Sequence, residues 1–128
     1  MKYHIEKNTI QETLVIPLYA RALCTRRFPH LFSDPLSVEL LEQLDYDFSA
    51  LERTSGSLMQ TFGAMEAAMR QSDLAWEVRD YLADHPQAAV VNLGCGLDQT
   101  GRSCDNGQCR LYNIDLPDVM VVREALLP

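Results

Sequence analysis

The stretch VVNLGCGLD, residues 90–98, ends a short apolar run on two glycines, Gly94 and Gly96, and an acid, Asp98. Asp115 follows Gly96 by 19 residues and closes the stretch RLYNID. Glycine at the end of a strand lets the backbone approach a ligand closely and accepts positive φ. An acid about 20 residues further on, at the end of the next parallel strand, is placed to accept hydrogen bonds from ribose hydroxyls. The third glycine of the dinucleotide fingerprint is absent: Gln99 stands in its place, and the next glycine is Gly101. That turns the expectation from NAD to a nucleoside ligand without a pyrophosphate, and S-adenosylmethionine is a ligand of that kind. Another reading stays open. Gly94 and Gly96 can simply make a tight turn, and Asp115 can cap a helix starting near Pro117.

These residues need elements to hold them. Glu12–Cys24 carries Leu14, Leu18 and Leu23 at helical spacing, with Pro17 in the first turn or at a kink. Asp34-Pro35 reads as an N-cap acid followed by proline at the first helical position, with Leu36, Leu40, Leu41 and Leu44 on one face. Leu58, Phe62, Met65 and Met69 repeat at helical spacing, as do Leu74, Val78, Tyr81 and Leu82 before His85-Pro86. Such methionine and aromatic stripes are expected to be core. After Pro86 the period changes. Ala88–Leu93 suits a strand buried on both faces, Asp105-Asn106-Gly107 a turn, Arg110–Asp115 a second strand, and Leu116-Pro117-Asp118 the start of a last helix with Val119, Val122 and Leu126 on one face.

Composition narrows the function classes. The 128 residues allow one ordinary domain, with 47% hydrophobic and 23% charged residues. A net charge of −7 argues against nucleic-acid binding by phosphate neutralisation. Arg21, Arg26 and Arg27 read as a solvated face or structural ion pairs. Met1–Glu12 lacks the apolar core of a signal peptide, and no run approaches a membrane span, so a cytoplasmic protein without membrane contact is expected. Cys24, Cys95, Cys104 and Cys109 match no zinc spacing and are expected as thiols, so no metal is expected.

The order ETLVIPLYARAL (12–23), SDPLSVELLEQLDYDF (33–48), Arg70, VVNLGCGLD (90–98) and YNIDLPDV (112–119) resembles the leucine carboxyl methyltransferase family, in particular its bacterial branch of polyketide-synthesis O-methyltransferases. The resemblance runs from about residue 12 onward. It implies an α/β fold, a helical N-terminal cap over 1–86 followed over 87–128 by the first βαβ part of a Rossmann-like sheet. It further implies S-adenosylmethionine as cofactor and O-methyl transfer to a carboxylate or hydroxyl of a small molecule. Gly94 and Gly96 match the cofactor-loop glycines, and Asp115 the ribose-binding acid. Arg70 matches an arginine that pairs with the cofactor's methionine carboxylate. Asp98 is expected to shape the loop or to contact the cofactor's amino group. Two departures stand out. After GLD the chain reads Gln99-Thr100-Gly101 rather than threonine-arginine and an aromatic, and family members are roughly twice as long.

Two strands alone would leave an open edge, and Leu93, Ile114, Val121 and Val122 would lack packing partners. A homodimer formed through that edge is therefore expected, and the ending ALLP reads as a truncation. No histidine among His4, His30 and His85 stands out as an acid or base, although Tyr19 and Arg21 could line an acceptor side. The alternative function is a catalytically inactive fragment that acts as an interaction module.

Overall fold

A computed structural model describes residues 1–128. It is a mixed α/β structure with two small parallel strand pairs and two compact units, Met1–Met69 with Pro128, and Arg70–Leu127. No helix is long and apolar enough to cross a membrane.

In the first unit, β1 (Tyr3–His4) pairs in parallel with β2 (Leu44–Asp45). A single-turn 3-10 segment, Ile10–Leu14, leads into α1 (Val15–Arg27). Pro17 sits in the first turn of α1, where its missing N–H costs nothing. Helix α2 (Pro35–Gln43) starts where expected: Asp34 Oδ1 accepts the Ser37 N–H at 3.2 Å. Asp34 Oδ2 also accepts from Arg21 Nε at 3.3 Å, so Arg21 is a buried ion-pair partner rather than part of a solvated face. Leu14, Val15, Leu18, Ala22, Leu40 and Leu41 form the core, with Leu44 buried beside them from β2 rather than from the helix.

A short helix α3 (Ser49–Thr54) precedes α4 (Leu58–Asp84), one continuous helix that contains both expected apolar stripes. The Ser57 hydroxyl accepts the Gln60 N–H at 3.1 Å at its start. Pro86 forces its end, because the residue before a proline avoids helical backbone. The expectation that the stripes form core holds only in part: Leu82 is buried and Met65 is partly buried against Cys24, Phe32 and Ala68, while most of the other large side chains lie outside. Leu58 is 86% exposed and Phe62 68%, while the buried positions are Ala64, Ala68, Ala75 and Leu82. Close packing selects the small side chains of this helix and leaves most of its large ones outside.

In the second unit, β3 (Ala89–Leu93) pairs in parallel with β4 (Arg110–Ile114), in register from Ala89↔Arg110 to Leu93↔Ile114. The connection holds a four-residue helix α5 (Thr100–Ser103) and the predicted turn. Gly107 there has φ +76°, Asp105 Oδ1 accepts its N–H at 2.8 Å, and Asn106 Oδ1 accepts from Gln108 and Cys109. Helix α6 (Pro117–Leu126) follows, burying Val119 and Val122. Strand β3 is not buried on both faces: Leu93 is 74% exposed, and Val91, Tyr112 and Ile114 are also exposed. Two strands have too few neighbours to cover an apolar run. Val122 departs from expectation in the other sense. It is fully buried, whereas Leu93, Ile114 and Val121 are exposed as anticipated.

Candidate functional site

The β3–β4 register sets the site. Pairing Leu93 with Ile114 brings the residues that follow each strand, Gly94 and Asp115, to the same end of the sheet. The chain must then turn sharply, and both glycines take left-handed backbone, Gly94 at φ +66° and Gly96 at φ +46°. A Cβ on Gly94 would meet nothing within 4 Å, so the space beside it is open. The N–H groups of Gly94 and Cys95 both donate to the Ile114 carbonyl, at 2.8 and 3.2 Å.

Asp115 and Gly96 meet directly. Asp115 Oδ2 accepts the Gly96 N–H at 2.8 Å, and Oδ1 accepts the Leu116 N–H at 2.7 Å. The carboxylate thus ties the glycine loop to the start of α6. Each of its oxygens has a second acceptor site left. Asp98 closes the other end of the loop. Its own N–H donates to the Cys95 carbonyl at 2.9 Å. One of its side-chain oxygens accepts the Thr100 N–H, and the other accepts from Asn92 Nδ2 at 3.4 Å. These bonds show Asp98 shaping the loop. Thr100 Oγ1, next to it, is buried without a hydrogen-bond partner.

Between the glycines, Cys95 is buried, with its Sγ 3.7 Å from Met120 Sδ. Burial pushes its thiol above the ordinary value, against a smaller opposing pull from Arg123. The four cysteines are free thiols, and no group of three or more His, Cys, Asp or Glu side chains is placed to hold a metal ion.

Arg123 was not singled out in the sequence. Its Nη1 donates to the carbonyls of Gly96 at 2.7 Å, Asp98 at 2.8 Å and Cys95 at 3.5 Å. A signal was present: an arginine four residues after Val119 and three before Leu126, on the apolar face of α6. Arg70 lies on α4, exposed, and is not among the loop's hydrogen-bonding partners. The structure therefore joins Gly94, Gly96, Asp98 and Asp115 through one set of loop hydrogen bonds, in which Arg70 takes no part.

A model of the leucine carboxyl methyltransferase family matches residues 15–128. The chain belongs to the leucine carboxyl methyltransferase family. Over 121 residues it is 36% identical to the tetracenomycin polyketide synthesis O-methyltransferase TcmP of Streptomyces glaucescens, an alignment covering 93% of this chain. It spans 42% of that relative's length. No solved structure matches it.

Proposed function

We propose that this chain carries the cofactor loop of an S-adenosylmethionine-dependent O-methyltransferase with a Rossmann-like sheet, acting on a carboxylate or hydroxyl of a small molecule. One observation carries the reading: parallel pairing of β3 and β4 brings Gly94, with open space beside it, and Asp115, a carboxylate that keeps acceptor capacity, to the same end of the sheet.

The residues fit a nucleoside better than a pyrophosphate. The N–H groups of Gly94, Cys95, Gly96, Asp98 and Thr100 are all donated within the protein. A phosphate cradle needs such donors free. Asp115 would also repel phosphate, whereas its remaining lone pairs suit ribose hydroxyls. Asp115 would hold the ribose and Gly94 would give close approach. Arg70 would pair with the methionine carboxylate, which a guanidinium grips through two parallel hydrogen bonds. When bound, S-adenosylmethionine supplies a methyl group activated by a sulfonium. This chain's residues bind and orient it, and proximity of the two reactants is the main contribution of the protein.

Calorimetric titration with S-adenosylhomocysteine tests the reading on the wild-type chain, Asp115→Ala and Asp115→Asn. Wild type is expected to bind, Asp115→Ala to lose binding, and Asp115→Asn to stay folded yet bind more weakly. A folded wild type that gives no binding isotherm refutes the reading.

A second reading has its own support. Val91, Leu93, Ile114, Leu116 and Val121 are exposed on and beside the two-stranded sheet. Isolated two-stranded sheets are marginal, and apolar edges recruit further strands. We propose that the 128-residue chain self-associates there as a homodimer, and that without cofactor binding this contact is its activity. Light scattering over a concentration series, with Leu93→Lys, tests it; a wild-type monomer at all concentrations refutes it.

A further inference from the structure

The loop over residues 94–98 has an unusual backbone requirement. Two of its residues hold positive φ, and three of its carbonyls, those of Cys95, Gly96 and Asp98, converge on Arg123 Nη1. Glycines permit that conformation without selecting it, since they populate many others equally well. Asp115 fixes one N–H of the loop. On the carbonyl side, Arg123 on the following helix makes the short contacts, 2.7 Å to Gly96 and 2.8 Å to Asp98, and Gln99 Nε2 adds a longer one to the Asp98 carbonyl at 3.3 Å.

We propose that Arg123 is a positioning residue for the cofactor loop, acting through the carbonyls of Gly96 and Asp98 rather than by touching the ligand. The inference rests on the cofactor reading above. Charged donors make stronger hydrogen bonds to carbonyls than neutral ones. By drawing the loop's acceptors onto α6, Arg123 turns them away from competing partners. It keeps the Gly96 N–H on Asp115 and the side of Gly94 open. All three contacts come from one nitrogen, Nη1, so a lysine ammonium on its shorter stem can reach one or two of these carbonyls and restores the function in part.

The test uses the whole chain as wild type, Arg123→Ala and Arg123→Lys. Two readouts are taken: amide hydrogen exchange of segments 94–100 and 117–126, and calorimetric titration with S-adenosylhomocysteine. In Arg123→Ala, exchange over 94–100 is expected to accelerate by about tenfold or more while 117–126 stays protected, given two lost charged hydrogen bonds. Affinity falls about tenfold in the same variant and recovers to within about threefold in Arg123→Lys. Unchanged exchange over 94–100 overturns the proposal. So does equal loosening of 117–126, which would make Arg123 a prop for α6 alone. Unchanged affinity in Arg123→Ala overturns it as well. If wild type binds nothing while Arg123→Ala still loosens only the loop, the positioning role stands and the cofactor reading fails.

Discussion

Gly94 and Gly107 make a matched pair for a decisive substitution. Both have left-handed backbone, at φ +66° and +76°, and a Cβ on either would meet nothing within 4 Å. Alanine at either position therefore suffers no collision and carries only the backbone penalty of an L-residue, about 1–2 kcal/mol. The reduced freedom of the unfolded chain returns about 0.4–1 kcal/mol. Each variant should thus lose about 0–1.6 kcal/mol of stability, a melting shift that reaches at most roughly 6–13 °C for a unit of this size. The two part company over ligand. If the space beside Gly94 is the ligand's seat, a methyl there overpacks it at about 1–3 kcal/mol, which weakens binding roughly 5- to 150-fold. Gly107, in the turn before β4, should leave binding alone. Circular-dichroism melts and calorimetric titration with S-adenosylhomocysteine measure both quantities. Wild-type affinity in Gly94→Ala, or an equal loss in Gly107→Ala, would refute the assignment of that open space.

Other outcomes follow from the contacts described above. Asp34→Ala removes the N-cap bond to Ser37 together with a carboxylate that pairs with buried Arg21, and should cost about 3 kcal/mol in a denaturant melt. The Tyr46 hydroxyl donates to Glu12 Oε1 at 2.7 Å, which lowers the Glu12 carboxyl from its ordinary 4.5 and raises the Tyr46 phenol from 10.0. A lowered acid stabilises the fold above its unfolded value and loses that contribution as pH falls below 4.5. A raised phenol contributes below 10.0 and loses it as pH rises through the folded value. Melting across the pH range should therefore decline at both ends, and more shallowly in Tyr46→Phe. Cys24, Cys95 and Cys104 are buried and Cys109 is partly exposed, so iodoacetamide should label Cys109 first by mass spectrometry, the others only after unfolding.

The parts of this molecule legible in the sequence are those written in local backbone chemistry. Asp34-Pro35 starts a helix because the acid caps and the proline fits, whatever surrounds them. Asp105-Asn106-Gly107 turns because its side chains bond to their own backbone. Gly94, Gly96 and Asp115 meet because two parallel strands in register bring their ends together. Burial was less legible. The stripe of Leu58, Phe62 and Met69 has helical period but lies outside, and only the neighbours available to pack decide which face is covered. Strand β3 has the composition of a central strand in a sheet of two. Arg123 left little trace because its partners are carbonyls, which every residue carries. No complementary side chain marked it.

The turn before β4 has a consequence for how this protein ages. Asn106-Gly107 is a dipeptide in which the asparagine amide is open to attack by the following backbone nitrogen, and asparagine is among the thermolabile residues. Here both reactants are restrained. The Gly107 N–H is donated to Asp105, and the Asn106 side chain bonds to Gln108, Cys109 and, through Nδ2, the Pro86 carbonyl at 3.0 Å. Deamidation should therefore be slow in the folded chain and fast in the unfolded one. Once it occurs, an oxygen would replace the nitrogen facing the Pro86 carbonyl, and the brace between the entrances to β3 and β4 would become a repulsion. A gain of about one mass unit at residue 106 would then record the time each molecule has spent unfolded.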